Sequence, residues 1–120
     1  MTDKKTVTLP DDQDMQRLIA LLQEHISPLA VDKLTLNTSI NHDLGCDGDD
    51  AAELMADLAD RFPIDFVDYD AYRYFHPEGY DLMRWRRAKD RRGNVPLTLA
   101  MMYEAIQLLR WNTTEIEAAA

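Results

Sequence analysis

Cys46 is the chain's one thiol, and His42 stands four residues ahead of it. The pair has the residue types of a nucleophile and its base. A reactive cysteine needs an electropositive setting that stabilises the thiolate, yet Cys46 sits among Asp43, Asp47, Asp49 and Asp50. The same acids invite a calcium-loop reading. With Gly48 at the sixth position of an EF-hand, Asp43 falls first and Asp47 fifth. Gly45 then occupies the third position and Leu54 the twelfth, where a bidentate Glu is required. His25 and His76 stand alone, and no triad or paired-acid arrangement can be assembled. The sequence predicts no catalytic residue, no metal and no cofactor.

Charge is the stronger signal. From Asp43 to Asp70 there are ten acids and a single base, Arg61, a net of -9 equal to that of the whole chain. On a helical wheel Asp50, Glu53, Asp57 and Asp60 form a stripe, with Asp47 and Asp49 just before it. Like charges three or four residues apart cost a helix about 0.2–0.5 kcal/mol per pair, so the stripe does not serve helix stability. It either docks on a basic protein surface or is a solvated face that favours solubility. Relief of repulsion predicts that Asp57→Asn is neutral or stabilising. A second segment is basic: six of the nine residues from Arg84 to Arg92 are Arg or Lys. It has three readings. Arg84, Arg86, Arg87, Arg91 and Arg92 fold back on the acidic helix, or they contact an anionic partner with Trp85 as anchor, or the segment is an exposed loop.

Helical spacing places these charges on elements. Met15, Leu18, Ile19, Leu22 and Ile26 predict a first helix over 11–26, stopped by Pro28. Residues 27–42 form a long connection whose Leu29, Val31, Leu34, Leu36 and Ile40 must lie over the core. Ala51, Leu54, Met55, Leu58 and Phe62 share one side of a second helix, about 49–62, ended by Pro63. Thr98 is the expected cap of a last helix, 97–111, lined by Leu99, Met102, Tyr103, Ile106 and Leu109. Residues 1–10 and 112–120 are expected as loose tails. At 120 residues with 46% hydrophobic content, one domain with a modest core is expected. Thirteen Lys and Arg against 22 Asp and Glu argue against nucleic-acid binding. The expected location is cytoplasmic, since neither a signal peptide nor a membrane-spanning run is visible.

The segment 43–65 resembles that of acyl carrier proteins, D-L-G-x-D-S-L-D-x-x-E-L followed by an amphipathic helix ending in Phe. Asp43, Leu44, Gly45, Asp47, Asp50, Glu53, Leu54, Leu58 and Phe62 match. Gly48 stands where carriers have the serine that accepts phosphopantetheine, so the chain is similar to acyl-carrier-like bacterial proteins without carrier chemistry. The resemblance covers roughly 11–111 and implies an all-α, four-helix bundle. Its third helix would be Asp68–Phe75, with Tyr69, Tyr72 and Phe75 plugging one edge, and 76–96 would be an insertion before the fourth. It further implies a non-catalytic module that presents Asp47, Asp49, Asp50, Glu53, Asp57 and Asp60 to a basic partner, an acyl-metabolism enzyme among the options. The alternative is an unmodified accessory protein of acyl, fatty-acid or polyketide metabolism. Either would be a monomer or weakly self-associating.

Overall fold

The computed structural model describes residues 9–75 and 95–119. Among them the chain is all-α: five α-helices, one short 3-10 turn at Val31–Lys33 and no strand. None of these helices is long and apolar enough to cross a membrane. The basic segment 84–92, with Trp85, lies outside the described residues.

Helix α1 runs Gln13–His25 and opens on Asp12, whose carboxylate accepts the Met15 amide at 2.9 Å. One first-turn N–H that lacks a helical acceptor is thereby satisfied. Met15, Leu18, Leu21 and Leu22 are buried, while Ile19 and Ile26 flank the core half-buried. The inward face is thus rotated toward Leu21 relative to the sequence reading. Helix α2, Gly48–Arg61, buries Ala51, Leu54, Met55 and Leu58, and Phe62 after it is buried too, as the spacing predicts. α1 packs against α2 on one side and against α4, Leu99–Leu108, on the other.

The long connection lies over the core. Leu34 and Ile40 are buried, and Leu29, Val31 and Leu36 pack against the core from its edge. Its backbone also fixes the start of α4: the Leu99 and Ala100 amides donate to the carbonyls of Thr38 and Leu36, both at 3.0 Å. Thr98 caps α4 as expected, its hydroxyl accepting the Met101 amide at 3.2 Å.

Three features differ from expectation. The third helix is a single turn, α3 at Ala71–Tyr74, because Asp70 caps it through the Tyr72 amide and Asp68 is engaged elsewhere. Tyr74 and Phe75 are buried there and Tyr72 is only half-buried. The last helix stops at Leu108. Leu109 takes a left-handed conformation, φ 61°, and is 54% exposed instead of lining the core. That turn aims the Leu109 carbonyl at the Asp65 amide, 3.0 Å away, and lets the Trp111 amide donate to the Asp65 carbonyl at 2.7 Å. Finally, the expected loose tail contains a fifth helix, α5 at Thr113–Ala118. Asn112 caps it, Ile116 is fully buried, and it packs on α4. Glu117 of α5 takes a forked bond from Arg73, at 2.5 and 2.7 Å, and the Tyr74 hydroxyl donates to it at 2.8 Å. The described residues thus bear out the all-α class, with five helices where the resemblance implies four.

Leu54→Ala and Leu58→Ala remove fully buried side chains and should each cost about 2–5 kcal/mol in urea unfolding. Ile116→Ala should fall in the same range. A melting temperature unmoved by Ile116→Ala would return 113–118 to a loose tail.

Candidate functional site

The start of α2 is built by carboxylates acting on nearby backbone. Asp43 accepts the Ser39 amide at 2.8 Å, and Asp47, the N-cap, accepts the Gly48 amide at 2.9 Å. The Cys46 amide donates to the Ile40 carbonyl at 2.9 Å, which ties this turn to the connection. Gly45 and Gly48 both have left-handed backbone, φ 72° and 60°. Gly48, read as a vacated attachment position, thus has a conformational reason of its own, because a Cβ there costs roughly 1–2 kcal/mol.

The ten acids of the 43–70 segment divide into three groups. Asp43, Asp47, Asp65, Asp68 and Asp70 accept local or docking backbone amides. Asp57 is engaged by two side chains: His25 Nε2 donates to one of its oxygens at 2.9 Å and Arg61 Nε donates to the other at 3.0 Å. That leaves Asp49, Asp50, Glu53 and Asp60, all exposed and without a side-chain partner among the described residues. At 100° per residue Asp49, Glu53 and Asp60 fall on one ridge directly away from Leu58. Asp50 sits on the flank with Asp57. The other outward residues are Ala52, Ala56 and Ala59, so no base lies on the ridge.

His25 and Arg61, which the sequence presents as an isolated histidine and a lone base, together join α1 to α2. Arg61 donates twice to Glu24, at 2.8 and 2.5 Å. Arg17 then closes the far end of α2, donating to the Arg61 carbonyl at 2.8 Å with its guanidinium 4.4 Å from the Phe62 ring centroid. The hydrogen bond from His25, then Arg61, holds the Asp57 carboxyl below its ordinary range. Glu24 is likewise lowered, chiefly by Arg61. The only sequence signal for this clamp was position: a histidine at the end of one helix and an arginine at the end of the next.

Between the end of α1 and the start of α2 lies a cleft of about 170 Å³. Ile26, Leu44 and Cys46 supply its apolar lining, and His25, Ser27 and Asp50 its polar lining. Cys46 is buried, and burial first, then Asp50 and Asp47, push its thiol up to about 11. At neutral pH it is a protonated thiol and a poor nucleophile. No hydrogen bond joins it to His42, whose amide is held by Ser39 and Asn41. The EF-hand count fails in space as well, for Leu54 at its twelfth position is fully buried in the core.

Asp57 is therefore not a site of repulsion to be relieved, and Asp57→Asn should destabilise the protein. Its folded pKa lies below the ordinary 3.8, so the native state holds fewer protons between those values. The stabilising contribution is complete above about pH 4 and is lost as pH falls through the folded value. Melting temperatures of wild type and D57N should differ at pH 6, and the gap should narrow as pH is lowered below the ordinary 3.8; a gap unchanged in strong acid would overturn the pairing. Gly48→Ala should cost roughly 1–2 kcal/mol from strain at φ > 0. An unchanged urea midpoint would show that residue 48 does not hold that conformation.

No curated protein matches this chain, and no solved structure does. A family profile matches residues 11–113. It is not a profile of acyl carrier proteins, and this overturns the resemblance read from the Asp43–Phe62 motif. Short caps, a turn and an apolar 3-4 repeat recur in many amphipathic helices, so those matches do not define an ancestry. Spanning more than half of the sequence, the match shows that the chain belongs to the family described as "Protein of unknown function (DUF1493)".

Proposed function

We propose that this protein is a non-catalytic interaction module whose α2 presents Asp49, Asp50, Glu53 and Asp60 to a basic surface of a protein partner. One observation carries the reading: the neighbouring Asp57 is engaged by His25 and Arg61, whereas these four acids are exposed and unpaired among the described residues. Asp60 lies in the last turn of α2, where the helix end is itself negative, and its charge there is unfavourable to the isolated helix. Ala52, Ala56 and Ala59 beside the ridge keep the surface low, so a partner can approach the helix closely. Of the six acids singled out from sequence, Asp47 and Asp57 belong instead to the cap and the clamp. The acyl-metabolism setting rested on the overturned resemblance and falls with it.

A photo-crosslinker at Ala56, compared with one at the exposed Gln23 of α1, tests this in extract of the source cells. A discrete adduct should form from Ala56, weaken as salt rises, and disappear in the D49N/E53Q/D60N variant. Adducts indifferent to both salt and the triple substitution, or equal yields from Gln23, would leave the ridge as a solvated face and defeat the reading.

A further inference from the structure

Building on the reading of α2 as a face for a basic partner, we propose that the cleft between α1 and α2 seats one arginine or lysine side chain of that partner. Its apolar stem would lie on Ile26 and Leu44 and its cationic head at Asp50. The cleft's volume of about 170 Å³ suits a single long side chain and is below the roughly 300–1,000 Å³ of pockets that take whole small molecules. Its lining is of two kinds, matching a side chain that buries a hydrocarbon stem while its charged end stays near water.

The electrostatics favour a cation. Asp50 is the one carboxylate of the lining, and it is exposed and unpartnered among the described residues. The thiol of Cys46, the most buried of the lining groups, is raised by burial and then by Asp50 and Asp47, so the interior of the cleft resists negative charge. Among the described lining residues His25 is the only other titratable group, and its Nε2 is already engaged by Asp57. An anion would face Asp47, Asp49 and Asp50 around the first turn of α2, which oppose the positive helix end. A divalent metal would find one carboxylate where about six oxygens are needed.

The test is a titration of the ¹⁵N-labelled chain, at low salt, with the N-acetyl methylamides of arginine and lysine. The citrulline derivative serves as a neutral isostere of arginine. The cationic probes should give saturable shifts at the Gly45, Cys46 and Asp50 amides, and citrulline none. Asp50→Asn should weaken binding by up to about fivefold, the upper value of one exposed ion pair. Ser27→Trp, which fills the cleft from an exposed position, should abolish the shifts while amides elsewhere keep their wild-type frequencies. Glu53→Gln with Asp60→Asn should leave them unchanged. Shifts at Glu53 and Asp60 with Gly45 and Cys46 still would overturn the cleft and leave the basic-partner reading intact. Equal response to citrulline, or no response to any probe, also overturns the cleft, while the crosslinking from Ala56 judges the partner reading separately.

Discussion

Helix α4 begins where water does not reach, and the rest of the architecture is arranged around that fact. Thr98, Leu99, Ala100 and Met101 are all buried, so their first-turn amides need acceptors from the protein itself. Leu36 and Thr38 supply two carbonyls and the Thr98 hydroxyl supplies a third acceptor. To do so the connection from α1 must cross the head of α4, which brings the Ile40 amide to the Leu97 carbonyl at 2.9 Å and puts Ile40 in the core. Asn41 then reads four backbone groups at once: it donates to the Tyr74 and Val95 carbonyls, at 2.8 and 2.7 Å, and accepts from the Leu97 and His42 amides, both at 3.0 Å. Because the Cys46 amide hangs from the Ile40 carbonyl, the position of α2 and its cleft follows from how α4 is capped.

The opposite end of α4 is handled by an aromatic cluster. Leu109 turns the chain through a left-handed residue, and Trp111 enters the core against Phe66, Tyr69 and Tyr74, with ring centroids 5.0–5.9 Å away. Rings at such separations in edge and offset arrangements add stabilisation beyond the area they bury. α5 closes this end: Thr113 bonds Asp68 through both its amide and its hydroxyl, and Ile116 completes the burial. Burial holds the Tyr69 and Tyr74 hydroxyls protonated well above their ordinary range.

Periodicity made α1, α2 and the body of α4 legible, since each carries at least four apolar residues at 3-4 spacing. Thr98 was legible as a cap for the same local reason. α5 was not, because TTEIEA offers a single large apolar residue, Ile116, and one residue has no period. Nor was the exit at Leu109, where a left-handed leucine continues the apolar pattern of a helix that has already ended. The clamp of Glu24 and His25 with Asp57 and Arg61 joins residues more than 30 positions apart, and Arg73 with Glu117 spans 44. Such pairings depend on how helices cross, which no local window contains. The acidic count misled in the opposite sense: summed along the chain it is one large signal, but short carboxylates are also the natural acceptors of turn and cap amides.

Once those carboxylates are assigned, the charge on α2 can be set against the cations that face it. Among the described residues Arg17 is engaged at the Arg61 carbonyl, Arg61 at Glu24 and Asp57, Arg73 at Glu117, and Arg110 at Glu115. Lys33 is the one further Lys or Arg there, and it belongs to the 3-10 turn. Releasing any of these arginines to neutralise the ridge would break a contact between helices or at a helix end. None of these described cations is paired with Asp49, Glu53 or Asp60. Exposed pairs are individually worth about 0–1 kcal/mol and are screened over about 8–10 Å at ordinary salt. On the proposed reading, several such pairs acting together, with Asp50 as a fourth carboxylate on the flank, would govern rate and orientation of approach more than tight retention.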